Sequence, residues 1–146
     1  MTIYEKSNSI TILTNVSIKT DTKKLYHKLR EQTVIGMRDL QDLSDGICLD
    51  MGIPVVPVLF KGEQPKTRKG TIRGQYVYYH GQILSSQIQV YKYTAVRKKQ
   101  VAPKTAVFIL LHEIGHHIDR TFLKLYKSLH TSGFYARLQY LTQLLA

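Results

Sequence analysis

The sequence contains a single cysteine, Cys48, and no tryptophan. One thiol excludes an intramolecular disulfide and a zinc cluster built from cysteines, so any bound metal has to be held by His, Asp or Glu. No apolar run approaches the roughly 20 residues that a membrane-spanning helix needs, and residues Met1 to Ile10 lack the basic start and apolar stretch of a signal peptide. We therefore expect a cytoplasmic protein with no membrane partner.

Acidic side chains are also scarce, since 10 Asp and Glu stand against 21 Lys and Arg and the net charge is +11 with neutral histidines. A field of this sign attracts phosphate backbones and other polyanions, although a basic surface also serves solubility alone. The charge concentrates around Lys61 to Arg73 and at Arg97 to Lys99, and no acidic residue follows Asp119. Nucleic acid is therefore a candidate partner.

Length and composition predict a single domain that spans residues 1–146. Hydrophobic residues make up 43% and charged residues 21% of the chain, a balance typical of globular proteins that bury one core. Between Ser9 and Ile18, apolar residues recur at nearly every second position, which predicts a half-buried strand. From Leu25 to Ile47 they recur at helical spacing, which predicts one long amphipathic helix that is loosened at Gly36.

The middle of the chain is rich in β-branched residues and tyrosine. Ile53 to Phe60 contains two prolines, which favours an edge strand or an irregular extended segment. Thr71 to His80 and Gln82 to Tyr93 predict a hairpin with its turn at Gly81. Pro103 suits the first turn of a helix. The order predicts an α+β fold in which a small, mainly antiparallel sheet packs against the long N-terminal helix and the helix after Pro103.

The helix predicted after Pro103 carries the sequence HExxH. Residues four apart on a helix lie one turn above each other, so His112 and His116 can present imidazole nitrogens to one zinc ion. Glu113 is rotated by about 100° from His112, which places its carboxylate beside the metal, where it can accept a proton from water. This spacing predicts a zinc metallopeptidase that hydrolyses a protein or peptide substrate, with Glu113 as the catalytic residue.

The surroundings of the motif strengthen this interpretation. The apolar run Val107 to Leu111 predicts a buried helix, and burying His and Glu there without a partner would be costly. A bound metal removes that cost. Gly115 in the helix interior sacrifices about 1 kcal/mol relative to alanine, so we expect another group to pack closely against that turn.

The residues alone leave two candidates for the third metal ligand, Asp119 and His130. Asp119 follows His116 by three residues on the same face, but its short side chain starts a turn further along the axis. Its alternative role is to orient a ligand imidazole. His130 requires the chain to fold back, and a helix continuing without Gly or Pro would carry it about 20 Å away. His117 points off the metal face and is expected at the surface or beside a ligand.

These residues resemble the SprT-like and WLM metallopeptidases, which act on proteins crosslinked to DNA. In that group HExxH is followed by a histidine and, four residues later, by a phenylalanine, and His130 and Phe134 look like this pair. The resemblance implies a minimal zincin fold and zinc ligation by His112, His116 and His130. It also implies that Glu113 activates water and that the substrates are DNA-associated proteins.

A second resemblance is to the ImmA/IrrE metallopeptidases, in which a hairpin precedes a similar His-Glu-Ile-Gly-His sequence. Those proteins draw the third ligand from a downstream glutamate, and no glutamate follows Glu113, which favours the first resemblance. The alternative outside the enzymes is a basic DNA-binding or regulatory protein with a structural zinc site. Such a site would be closed by four ligands, the two motif histidines together with Asp119 and His130.

Overall fold

The computed structural model describes residues 1–79, 82–125 and 127–146, which contain five helices and two small sheets. The helices are α1 (Ile3–Ser9), α2 (Thr20–Glu31), α3 (Met37–Met51), α4 (Pro103–Thr121) and α5 (Ser132–Leu145). The strands are β1 (Val58–Phe60), β2 (Lys66–Thr67), β3 (Gly70–Thr71), β4 (Gly74–Tyr79) and β5 (Gln82–Val90). Within these three ranges, no helix combines the length and the apolar character needed to cross a bilayer. The mixture of helices and a small sheet is compatible with the predicted α+β class.

The main sheet has β5 as its central strand, in the order β1-β5-β4. β4 and β5 are antiparallel, as the predicted hairpin required, whereas β1 pairs with β5 in parallel and places Val58 opposite Ile88. The predicted turn at Gly81 lies outside the described residues. β2 and β3 form a separate two-stranded hairpin. β1 is therefore an edge strand, as its neighbouring prolines favoured, and β4 forms the opposite edge.

The predicted N-terminal strand is wrong, because residues 10–19 lie in neither a helix nor a strand and α1 precedes them. Thr2 caps α1 by accepting a hydrogen bond from the backbone N–H of Glu5 at 3.1 Å. This is a Thr-x-x-Glu sequence of the kind that starts helices. Leu13 and Ile18 are nevertheless buried in the core, so the apolar alternation reflects the packing of an irregular segment.

The predicted long N-terminal helix is two helices, since α2 ends at Glu31 and α3 begins at Met37. Gly36 caps α3 with an extended backbone (φ −114°, ψ 170°), and its N–H donates to the carboxylate of Asp39 at 2.9 Å. Ile35 is buried in the core, which anchors the connection between the two helices. Gly36 therefore begins a second helix and does not merely loosen a continuous one.

α4 carries the HExxH sequence through the middle of the fold. It contacts α2, α3, α5 and both strands of the β4–β5 hairpin. Pro103 lies in its first turn, as predicted. Leu110, Ile114 and Ile118 are buried at successive turns of the helix. This packing fixes the direction in which the motif side chains leave α4.

Candidate metal centre

Three imidazole nitrogens converge beside α4. The Nε2 atom of His130 lies 3.1 Å from Nε2 of His112 and 3.0 Å from Nε2 of His116. Each histidine offers a ligand atom that lies within 4.8 Å of the other two. Two nitrogens on one tetrahedral zinc ion are about 3.3 Å apart, so both the donor type and the spacing fit such an ion. The three histidines therefore form a group that could hold a metal.

The chain returns His130 to this point because α4 ends early. The helix stops at Thr121, and Lys124 then adopts a left-handed backbone conformation with φ 59°. The N–H of Leu125 donates to the carbonyl of Asp119 at 2.8 Å, which closes the turn. Lysine thus takes a conformation usually left to glycine. The helix is therefore not continuous up to His130, and the separation of about 20 Å that a continuous helix would produce does not arise.

Asp119, the other candidate ligand, lies outside the histidine group. Its two oxygens accept hydrogen bonds from the guanidinium of Arg137 at 3.3 and 3.2 Å, and Ser128 Oγ donates to Oδ2 at 2.7 Å. Burial raises the pKa of Asp119, while the bonds from Ser128 and Arg137 act in the opposite direction. Among the described residues the group consists of three histidines, so the four-ligand set with Asp119 is not formed.

A buried phenylalanine supports the three imidazoles. Phe134 stacks on His116, with ring centroids 4.6 Å apart and 18° between the planes. It also meets His112 and His130 edge-on, at 5.2 and 5.5 Å between centroids. A Cβ atom on Gly115 would lie 3.0 Å from the Phe134 ring. The expectation that a group packs closely against this turn of α4 is confirmed.

The two motif histidines are neutral near pH 7. Burial lowers the pKa of His112 to about 4, and the neighbouring His130 adds to the shift. Burial likewise lowers the pKa of His116 to about 3, with contributions from both other histidines. Metal ligation requires the unprotonated imidazole. Both side chains are therefore in the protonation state that can bind a metal.

Glu113 lies beside the histidine group without belonging to it. Only 6% of the residue is exposed, and burial raises the pKa of its carboxyl group to about 7. A Cβ atom on Gly74, at the start of β4, would lie 3.2 Å from Oε2 of Glu113. A carboxyl group with this pKa can take up and release a proton at neutral pH.

A cleft follows the edge of β4 past Glu113. Its larger cavity, of about 650 Å³, is lined by β4 and by the loop from Lys127 to Leu129. A second cavity, of about 350 Å³, is lined in part by the apolar and aromatic side chains of Ile72, Phe108 and Tyr135. Glu113 lines both cavities. Its carboxyl group therefore stands where the two parts of the cleft meet.

His117 is not a surface residue, because only 1% of it is exposed. Its Nε2 lies 2.7 Å from the carbonyl oxygen of Pro54, and its Nδ1 lies 2.8 Å from the hydroxyl of Tyr76. Burial lowers the pKa of His117. Since a carbonyl oxygen can only accept, Nε2 carries a proton, and Nδ1 is paired with the Tyr76 hydroxyl. His117 therefore ties α4 to β4 and to the segment before β1.

Two residues of the site were not predicted from the sequence. Arg137 is 3% exposed and lies on the apolar face of α5, between Phe134 and Leu141. A charged residue within an apolar stripe indicates a buried ion pair, because Arg is rarely buried without a partner. The position of Arg137 in the apolar stripe could therefore have indicated an acidic partner such as Asp119. Ser128 belongs to no pattern in the sequence.

Comparison of the chain with protein-family models, with curated proteins and with solved structures gives no significant match. The resemblance to the SprT-like and WLM peptidases therefore stays a prediction from the motif and from His130.

Proposed function

We propose that this protein is a zinc-dependent endopeptidase of the minimal zincin type. The observation that carries the proposal is the convergence of three imidazole nitrogens next to a buried carboxyl group. His112, His116 and His130 would hold the zinc ion, and Glu113 would act on water. A three-histidine site leaves a coordination position open, which is the arrangement of catalytic rather than structural zinc sites.

Zinc, when bound, acts as a Lewis acid that lowers the pKa of a bound water and polarises a carbonyl group. Glu113 accepts a proton as water adds to the peptide carbonyl, and it returns that proton to the leaving amine. A pKa of about 7 for Glu113 suits both transfers. Burial in the cleft wall keeps bulk water from competing for the carboxyl group. The phenyl ring of Phe134 holds the imidazoles in place.

The outer edge of β4, which pairs with no other strand among the described residues, offers a way to position the substrate. An extended peptide that pairs with this edge gains backbone hydrogen bonds and passes Glu113, where the two cavities meet. The smaller cavity, with Ile72, Phe108 and Tyr135, suits an apolar side chain of the peptide. The larger cavity has more polar walls, including Gln75 and Lys127. This arrangement favours cleavage within an unfolded or extended segment.

Substitution of Glu113 tests the peptidase proposal. Glu113→Gln keeps the shape of the side chain but cannot accept the proton, so we expect casein cleavage to fall by about 10²- to 10⁴-fold with unchanged zinc content. Glu63→Gln is the matched control, because it removes an exposed carboxylate from a loop, and it should cleave at the original rate. Equal cleavage by the Glu113→Gln variant and the original protein would refute the assignment.

Nucleic-acid-bound proteins are the substrate class that the charge distribution supports. The exposed basic residues of two loops form the basic surface, namely Lys61, Lys66, Arg68, Lys69, Arg73, Arg97, Lys98 and Lys99. The backbone N–H groups of Lys92 and Tyr93 donate to the carbonyl of Gly62 at 2.9 and 3.0 Å, which joins the two loops. Arg73 also lines the smaller cavity. The basic surface therefore continues into the cleft.

DNA affinity and cleavage together test this substrate class. Arg68→Gln combined with Lys69→Gln should weaken binding to double-stranded DNA and reduce the slope of log K against log salt, by about 0.9 for each phosphate that the variant no longer neutralises. The same variant should cleave a DNA-bound protein more slowly but free casein normally. Lys24→Gln with Lys28→Gln removes equal charge from exposed positions on α2 and serves as the control. Identical DNA binding by the two double variants would remove the basic surface from the proposal.

A further inference from the structure

A hydrogen-bonded chain leads from His116 into the protein interior. Nδ1 of His116 lies 2.6 Å from Ser128 Oγ, and Ser128 Oγ lies 2.7 Å from Oδ2 of Asp119. Both oxygens of Asp119 are paired with Arg137. Asp119 and Arg137 are 1% and 3% exposed, so the inner end of this chain is buried.

The number of available protons fixes the direction of each hydrogen bond between His116, Ser128 and Asp119. A carboxylate paired with a guanidinium can only accept, so the single hydroxyl proton of Ser128 goes to Asp119. The oxygen of Ser128 must then accept a hydrogen bond from His116, which places the imidazole proton on Nδ1. Nε2 of His116 is left with a free lone pair. That lone pair faces His130 Nε2 at 3.0 Å.

Arg137 uses all of its donors in this arrangement. Besides its two bonds to Asp119, Nη1 donates to the carbonyls of Ser7 and Ile10, each at 2.6 Å, and Nη2 donates to Ser7 Oγ at 3.0 Å. Guanidinium has five N–H groups, and these bonds engage each of them. Ser7 Oγ in turn lies 2.7 Å from the hydroxyl of Thr131, the residue that caps α5 directly after His130.

We infer that Ser128, Asp119 and Arg137 form a positioning relay that selects the metal-binding tautomer of His116. The same guanidinium is hydrogen-bonded to Ser7, which bonds to Thr131 and so stabilises the backbone next to His130. Partners of this kind orient a ligand imidazole and raise its affinity for the metal. None of the three relay residues is a metal ligand or a catalytic residue. The inference rests on the metal site of the proposed function but not on peptide hydrolysis.

Metal affinity is the first test. Ser128 is half-buried and borders the larger cavity, so Ser128→Ala should fold, and competition with a chromophoric chelator should show zinc and cobalt binding weakened by about 10- to 100-fold. Ser128→Thr keeps the hydroxyl and should restore affinity to within a few fold. Ser132→Ala is the control, because the hydroxyl of Ser132 donates to Asn8 outside the relay. Equal loss in the alanine and threonine variants, or in the control, would overturn the inference.

The tautomer itself is the second test, and it needs no metal. In the metal-free protein with ¹⁵N-labelled histidine, Nδ1 of His116 should show the chemical shift of a protonated nitrogen and Nε2 that of an unprotonated one. Ser128→Ala should convert this pattern into a mixture of tautomers. A proton found on Nε2 of His116 in the original protein would overturn the inference. Should the original protein bind no zinc, the proposed function fails, while this measurement still decides whether the relay sets the tautomer.

Discussion

His116 and His117 are neighbours on one helix, yet their surroundings give them opposite tautomers. Nδ1–H of His116 donates a hydrogen bond to Ser128, which leaves the lone pair of Nε2 directed toward His130. Nε2–H of His117 donates a hydrogen bond to the carbonyl of Pro54, and Nδ1 of His117 is hydrogen-bonded to the hydroxyl of Tyr76. An imidazole with one nitrogen free of protein hydrogen bonds can bind a metal. An imidazole with both nitrogens hydrogen-bonded to the protein instead connects the secondary-structure elements that carry its partners. The partner of the remaining nitrogen, rather than the motif, decides what each histidine does.

The two faces of α4 differ in the same way. The face of His116 meets Phe134, α5 and the returning loop, and its polar groups end in a cleft. The face of His117 meets β4 and the segment before β1, and His117 itself is buried there. Helix geometry separates adjacent side chains by about 100°, so one residue step is enough to pass from a candidate metal centre to a structural contact.

Replacing each histidine by alanine should give the largest contrast. His116→Ala removes one of three imidazoles, and we expect stoichiometric zinc binding to be lost. His117→Ala removes the hydrogen bond to the carbonyl of Pro54 and one of the bonds of the Tyr76 hydroxyl, and it opens a cavity. It should lower the free energy of unfolding of the metal-free protein by about 2–4 kcal/mol. Zinc titration and urea denaturation measure the two effects. A folded His117→Ala protein without zinc affinity would contradict the purely structural role of His117.

Two glycines at close contacts of α4, Gly115 within the helix and Gly74 at the start of β4, should separate the two faces with a smaller effect. Gly115→Ala pushes a Cβ atom against Phe134, so the gain in helix propensity should be offset by a cost of about 1–3 kcal/mol for overpacking. Zinc affinity should fall because Phe134 supports the imidazoles. Gly74→Ala places its Cβ 2.7 Å from Ile109 and 3.0 Å from the carbonyl of Gln89.

Gly74→Ala should therefore cost a similar amount of stability and displace Glu113 rather than the imidazoles. We expect it to retain zinc affinity while the rate of casein cleavage falls. Isothermal titration with zinc, urea denaturation and a peptidase assay on the same two preparations distinguish the outcomes. If both alanine variants lose zinc affinity equally, the two faces of α4 are not independent.

Tyr76→Phe should give the smallest effect and sharpen the role of His117. The change removes the hydroxyl that is hydrogen-bonded to Nδ1 of His117, to Ser86 and to Arg120. We expect a loss of about 1–2 kcal/mol in unfolding free energy without any change in zinc affinity. Tyr4→Phe on α1 is the control, since Tyr4 is 58% exposed. Thermal denaturation and zinc titration are sufficient. Weaker zinc binding in Tyr76→Phe would mean that the contact reaches the metal centre.

Local patterns predicted the elements whose stabilising contacts are close in sequence. The β4–β5 hairpin, the edge position of β1 and the start of α4 at Pro103 follow from the β-branched composition and from proline placement. The sequence pattern does not reveal that the helix ends before Gly36, because apolar residues continue at helical spacing past it. The backbone of Gly36 is nevertheless extended. The segment from 10 to 19 was misread since burial, not strand pairing, sets its apolar positions.

The candidate site was predictable only in part for the same reason. His112, Glu113 and His116 share one helix, so their relation follows from helical geometry. The position of His130 depends on the left-handed conformation of Lys124, which no local preference indicates. Arg137 bonds to Ser7 and Ile10 near the other end of the sequence. Ser128 reaches His116 and Asp119 only because the chain turns after α4.

The bond between Ser7 and Thr131 spans 124 residues of sequence. Contacts of such separation form late in folding, because a long loop has to close first. A chain still on the ribosome that ends at α4 has two of the three imidazoles and lacks Arg137. Because Phe134 and Arg137 lie on α5, the packing around the three histidines is complete only once α5 has docked on α1.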